Sequence, residues 1–148
     1  KAGDKILDIG CGKAFLLYEF TQVVPGVEIA GLDISKYGVQ NAKEETRGFL
    51  QVGNAVDLPY EDNSFDFVLS LNTFHNLHCH DLDKALREMN RVAKKDKYLV
   101  VESYRNENEK ANLLYWQLTC ESFCTPEEWD WWFKQTDYDG DHSFIYFE

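Results

Sequence analysis

The chain has 148 residues, 44% of them hydrophobic, and a formal net charge of −11. That length supports one domain with a proper core and is too short for two domains of ordinary size. The acidic balance argues against a surface that tracks phosphates, so neither DNA nor bulk RNA is an expected partner, and no stretch has the apolar length of a membrane span. Nothing at Lys1 resembles a secretory signal, and Cys11, Cys79, Cys120 and Cys124 match no disulfide framework or zinc spacing. Reduced thiols in a soluble, cytoplasmic protein are therefore expected.

Taken in chain order, Ile6, Leu7 and Ile9 form a short apolar run suited to a strand buried on both faces, and Gly10 and Gly12 break it before a helix-like segment from Ala14 to Val23. Glycines at such a turn let the backbone approach a ligand closely, and the free N–H groups of the next helix point at whatever is polar or negative there. Asp8 lies inside the strand, where a carboxylate is costly unless something pairs with it. Pro25-Gly26 ends the helix, and a second apolar run, Val27 to Ile34, carries Asp33, 21 residues after Gly12. That is close to the distance at which a nucleotide-binding α/β unit sets a carboxylate on ribose hydroxyls.

Ser35 reads as the N-cap of a second helix over Lys36 to Thr46, stopped at Gly48, and Phe49 to Val52 as a third strand. Ser64 to Asn72 is the fourth strand, and the loop after it, Asn72 to His80, holds three of the four histidines. His75, His78 and His80, with Cys79 among them, match no zinc motif, and no metal is expected. Leu82, Ala85, Leu86, Met89, Val92 and Ala93 fall on one face of a helix with Asp81 as N-cap. Lys94 to Lys97 reads as a turn, and Tyr98 to Glu102 as a fifth strand ending on the crevice side. Glu107 to Glu121 reads as a helix apolar on two faces and therefore buried on both. Thr125-Pro126-Glu127-Glu128 opens a further helix that buries Trp129, Trp132 and Phe133. Trp116, Trp131, Tyr104 and Tyr115 are either core or the lining of an aromatic acceptor pocket. His142 to Glu148 reads as an antiparallel edge strand.

LDIGCG, GLDIS, GNAVDLPYEDNSFDFVLS and ALREMNRVAKKDKYLVVE, in this order and spacing, resemble a class I S-adenosylmethionine-dependent methyltransferase of the small-molecule type. The resemblance implies a Rossmann-like, doubly wound, mostly parallel sheet with helices on both faces. It also implies S-adenosylmethionine as cofactor, with Asp8, Gly10, Cys11, Gly12, Asp33, Ile34, Asn54, Ala55 and Asn72 as the cofactor-binding set. Asn54 stands where the family often has an aspartate for the adenine amine, and Ala14 where it often has a third glycine. The resemblance further implies a helical segment ahead of the first strand, which this sequence does not contain, and a substrate-side insertion at 103–125.

A sulfonium methyl group is already activated, so such an enzyme chiefly holds a small-molecule acceptor in line and excludes water. An oxygen acceptor needs a general base, and His75 is the catalytic candidate because its ordinary pKa suits proton removal near neutrality. Two other readings stand beside this one. A binding protein for S-adenosylmethionine without transferase activity would keep the same turn. A nicotinamide dehydrogenase fits less well, because its third fingerprint glycine would fall at Phe15.

Overall fold

The computed structural model describes all 148 residues. Its first strand, β1 (Lys5–Ile9), alternates its side chains between two apolar layers. Leu7 and Ile9 join one core with Val68, Leu86, Met89 and Trp129, while Ile6 joins a smaller one with Ala14, Leu17 and Ile29. The chain continues through α1 (Phe15–Val23), β2 (Glu28–Asp33), α2 (Lys36–Gln40), α3 (Glu44–Arg47), β3 (Leu50–Val52) and β4 (Phe65–Leu71). A 3-10 turn (Phe74–Asn76) then leads to α4 (Cys79–Val92), β5 (Ala93–Glu102), α5 (Glu107–Trp116), α6 (Pro126–Gln135) and β6 (Asp141–Ile145). The six strands form one sheet in the order β3-β2-β1-β4-β5-β6. Strand order reverses between β1 and β4, which opens a crevice at their carboxyl ends.

The sheet is parallel throughout, and this corrects the expected antiparallel last strand: β6 pairs parallel with β5, from Tyr98↔Asp141 to Glu102↔Ile145. The cause is α6. A helix of ten residues carries the chain back to the starting edge of the sheet, so the strand after it runs the same way as β5. The start of α6 is as its sequence implies, with Thr125 accepting from the Glu128 N–H and the Glu128 carboxylate accepting from the Thr125 N–H.

Other boundaries differ from expectation for local reasons. The second helix breaks after Gln40, where Gly38 weakens it and Asn41 caps it, its backbone and side-chain N–H groups both donating to the Tyr37 carbonyl. Lys94 to Lys97 is not a turn; β5 already begins at Ala93, pairing with Phe65 across a register shift. The N-cap of α4 is His78, and Asp81 lies in its first turn. The helix expected to be buried on two faces buries Leu113 and leaves Leu114, Tyr115, Trp116 and Leu118 exposed.

Position in this core sets the cost of truncation. Leu86→Ala, at a fully buried site facing the sheet, is expected to lose about 2–5 kcal/mol of stability. Leu118→Ala, at a residue 92% exposed, should stay within about 0.5 kcal/mol. Urea denaturation of the two variants measures both.

Candidate cofactor and acceptor site

Gly10 and Gly12 both have positive φ, 83° and 53°, at the turn leaving β1. At Gly10 the need for glycine is steric: a Cβ there would lie 2.0 Å from the Thr73 hydroxyl oxygen, so the turn packs directly on the loop after β4. At Gly12 a Cβ would meet nothing within 4 Å, and the backbone faces open space. Ala14, where the family often has glycine, also takes the left-handed conformation, φ 56°. That costs roughly 1–2 kcal/mol, offset in part by its fully buried methyl group.

Asp33 ties this turn to the end of β2. One carboxylate oxygen accepts from the Gly12 N–H at 2.8 Å and the other from the Ser35 N–H at 2.7 Å. Beside it is a hollow of about 70 Å³ lined by Ile9, Gly10, Leu32, Asp33, Ile34, Gly53, Asn54, Ala55, Thr73 and Leu77. Its walls are mostly apolar and its rim carries one carboxylate and one amide. The Asn54 side-chain oxygen accepts from the Val56 N–H at 3.2 Å, which sets the side chain at the rim of its own turn. The chemistry of this lining suits a nucleoside, with an apolar bed for a base and an acid for hydroxyls.

Asp8, Cys11, Gly12 and Asn72 are outside the lining of the hollow. The Cys11 thiol is buried in the core under α1, with burial and the nearby Asp8 and Asp33 carboxylates pushing its pKa up to about 12, and its N–H donates to the Leu32 carbonyl. Asn72 is exposed, with φ 57°, and its N–H donates to the Val100 carbonyl. Asp8 is buried between Gly31 and Leu69 in the sheet, and its Oδ1 has no hydrogen-bond partner. Burial, and then repulsion from Asp33, raises its pKa to about 7. An orphaned buried carboxylate beneath the glycine turn suits a ligand that carries positive charge.

His75 is not poised as a base. It is 1% exposed, and its Nδ1 accepts from the Glu102 N–H at 3.2 Å. The single proton of the neutral ring is therefore on Nε2, which lies 3.3 Å from the Glu102 carboxylate. Burial lowers its pKa to about 4. His78 and His80 stack on each other at the surface, with ring centroids 5.9 Å apart, and no group of three His, Cys, Asp or Glu side chains is arranged to hold a metal ion.

The segment after α5 is fastened over His75. The His75 carbonyl accepts from the N–H groups of Glu121 and Ser122, and the Ser122 hydroxyl donates to the Leu77 carbonyl. The four aromatic acceptor candidates do not converge. Trp116 and Tyr115 pair edge to face in the open, Tyr104 lies under Lys110, and Trp131 lines a separate recess of about 470 Å³ with Cys79, Phe123 and Trp132. That recess is larger than the hollow at Asp33 but lacks the glycine turn and its carboxylates. The sequence places the loop that holds Thr73 and Leu77 at the crevice without singling out either as a wall of the hollow, and gives Glu102 a place but no role.

The model of a family described as methyltransferase domain matches residues 1–137. The chain belongs to this family. Its sheet and helices are those of S-adenosylmethionine-dependent methyltransferases. The domain is 37% identical over 99 residues to the demethylmenaquinone methyltransferase of Staphylococcus carnosus, covering 64% of this chain and 40% of that one. It thus spans about two fifths of the length of that curated relative. Among solved structures it is similar to the YcgJ protein of Bacillus subtilis, at TM-score 0.73 and 27% identity over 92% of this chain and 62% of that one. A SAM dependent methyltransferase from Aquifex aeolicus matches at TM-score 0.53 and 30% identity, over 64% of this chain and 53% of that one. No helix of the domain is long and apolar enough to cross a membrane.

The raised Asp8 pKa makes stability depend on pH. Between its ordinary value of 3.8 and about 7 the folded methyltransferase domain holds a proton that the unfolded chain has released, so this contribution is full at low pH and declines as pH rises to about 7. Asp8→Asn removes that loss. The stability of the variant minus that of wild type should grow by on the order of 2–4 kcal/mol from pH 4 to pH 7.5 in urea denaturation, whereas a difference independent of pH would show that Asp8 does not titrate this way.

Proposed function

We propose that this domain transfers a methyl group from S-adenosylmethionine to a small-molecule acceptor by in-line displacement. The observation that carries the reading is the joint at Asp33: a carboxylate at the end of β2 held by the Gly12 N–H, beside a hollow rimmed by Asn54 and floored by apolar side chains. When bound, S-adenosylmethionine supplies a methyl group already activated as a sulfonium. The residues of this chain then have the tasks of binding and orientation. Asp33 accepts from ribose hydroxyls with lone pairs its two amide donors leave free, Asn54 and Ala55 meet the adenine side, and Ile34 covers it. Asp8 supplies negative charge beneath the turn, and the backbone of Gly10 to Gly12, fixed by the Leu32 carbonyl and the Asp33 carboxylate, lines it. The loop from Asn72 to His78 serves the acceptor side, with His75 holding that loop on β5 rather than removing a proton. Holding the acceptor in line and excluding water supplies much of the acceleration.

Equilibrium binding by calorimetry, followed by a search for methylated product, tests this. The name of the Staphylococcus carnosus relative makes demethylmenaquinone the first acceptor to try. Binding of S-adenosylmethionine with product formation is expected. Binding without product from any acceptor would favour a non-catalytic binding protein, and preference for a nicotinamide dinucleotide would end the reading.

Asp33→Ala should weaken S-adenosylmethionine roughly 10- to 150-fold, because hydrogen bonds to a charged group are worth about 1.5–3 kcal/mol. It should also lower stability, since the Gly12 and Ser35 amides lose their acceptor. Unchanged affinity would mean that the ribose lies elsewhere.

A further inference from the structure

The end of β5 holds a carboxylate that the cofactor groove does not use. Glu102 is 3% exposed, and its Oε1 accepts from the Gln117 side-chain N–H at 2.6 Å. Its Oε2 lies 3.3 Å from His75 Nε2 but has no hydrogen-bond partner. The backbone around it is fixed from three sides. Its N–H donates to His75, its carbonyl accepts from the Trp129 indole at 3.0 Å, and the neighbouring Ser103 hydroxyl donates to the Cys124 carbonyl. No cation neutralises it, so the carboxyl depends on neutral N–H donors alone.

One of those donors comes from the end of a helix. Gln117 is the C-cap of α5 and starts an irregular segment, while the side chains around it in sequence, Leu114, Tyr115, Trp116 and Leu118, all point into solvent. The run therefore has one amide reaching inward to a buried acid and four apolar side chains that are largely exposed, two of them the paired rings of Tyr115 and Trp116. An apolar molecule with a hydroxyl or N–H at one end matches both halves. Its head can replace the Gln117 amide, and its body can cover the apolar side chains. The adjoining turn carries Thr73 and Leu77 into the cofactor hollow and His75 against Glu102, so the two sites share one loop.

We propose that Glu102 is the specificity-determining residue for the methyl acceptor, receiving a hydroxyl or N–H donor of an apolar molecule at the position that the Gln117 amide fills in the free protein. This rests on the methyltransferase reading above. It selects acceptors that bear a hydroxyl or N–H donor over those that lack one.

The test uses two probes that differ only in the donor, 1-naphthol and 1-methoxynaphthalene, in titration calorimetry of the whole chain. Binding of S-adenosylmethionine is measured on the same samples. Wild type should bind 1-naphthol at least tenfold more tightly than the ether. Glu102→Gln should erase that preference. Gln117→Ala should tighten 1-naphthol several-fold by removing the internal competitor, a gain that a merely structural role for Gln117 would not produce. All three proteins should bind S-adenosylmethionine within about threefold of one another. If wild type does not discriminate between the probes, or Gln117→Ala weakens 1-naphthol, the proposal is overturned while the cofactor reading stands. Should Glu102→Gln fail to fold, the Gln117→Ala result decides alone. Loss of S-adenosylmethionine binding by wild type would overturn the methyltransferase reading, whatever the naphthol result.

Discussion

The fold and the site meet in one carboxylate. Asp33 holds the Gly12 N–H on one side and the Ser35 N–H on the other, and so joins the turn after β1, the end of β2 and the start of α2. Backbone N–H groups at a turn and at a helix start need acceptors, and here one side chain satisfies both. The close packing around it follows: Gly38 of α2 comes so near the turn that a Cβ would lie 3.2 Å from the Gly12 backbone. A ligand that binds Asp33 therefore contacts a group that already organises the turn, which couples cofactor binding to local order.

The acceptor side is built differently. Where the glycine turn is held by the Leu32 carbonyl and the Asp33 carboxylate, the loop after β4 is a short turn locked down by a buried histidine and its glutamate. Thr73 packs on Gly10, and two residues later His75 anchors on Glu102. The 117–122 segment is then bonded across the top. Two strand ends are thus linked through one loop. The same loop supplies Thr73 and Leu77 to the wall of the hollow.

Much of this was legible in the sequence where the signal is local. The first four strands lie where their apolar runs put them, α4 buries the face its spacing defines, and the Thr125 cap forms as its residues imply. Gly10, Asp33, Ile34, Asn54 and Ala55 come together at the hollow. What escaped depends on contacts distant in sequence. Nothing in the residues near His75 reveals that the Glu102 N–H donates to its Nδ1 and that the Glu102 carboxylate lies beside its Nε2, because the partner is 27 residues away on another strand. The direction of β6 depends on the path of α6, and the exposure of Leu114 to Leu118 depends on no second layer covering α5. Periodicity reports which faces are apolar, and it does not report what covers them.

The central claim is that the Asp33 joint is where the cofactor binds, and amide resonances in solution test it directly. In a titration with S-adenosylmethionine followed by nuclear magnetic resonance, the Gly12 and Ser35 amides should shift and saturate together with those of Asn54 and Ala55. Amides in the middle of α6 should stay in place. Saturable binding that left Gly12 and Ser35 unmoved, or that perturbed α6 instead, would contradict the account.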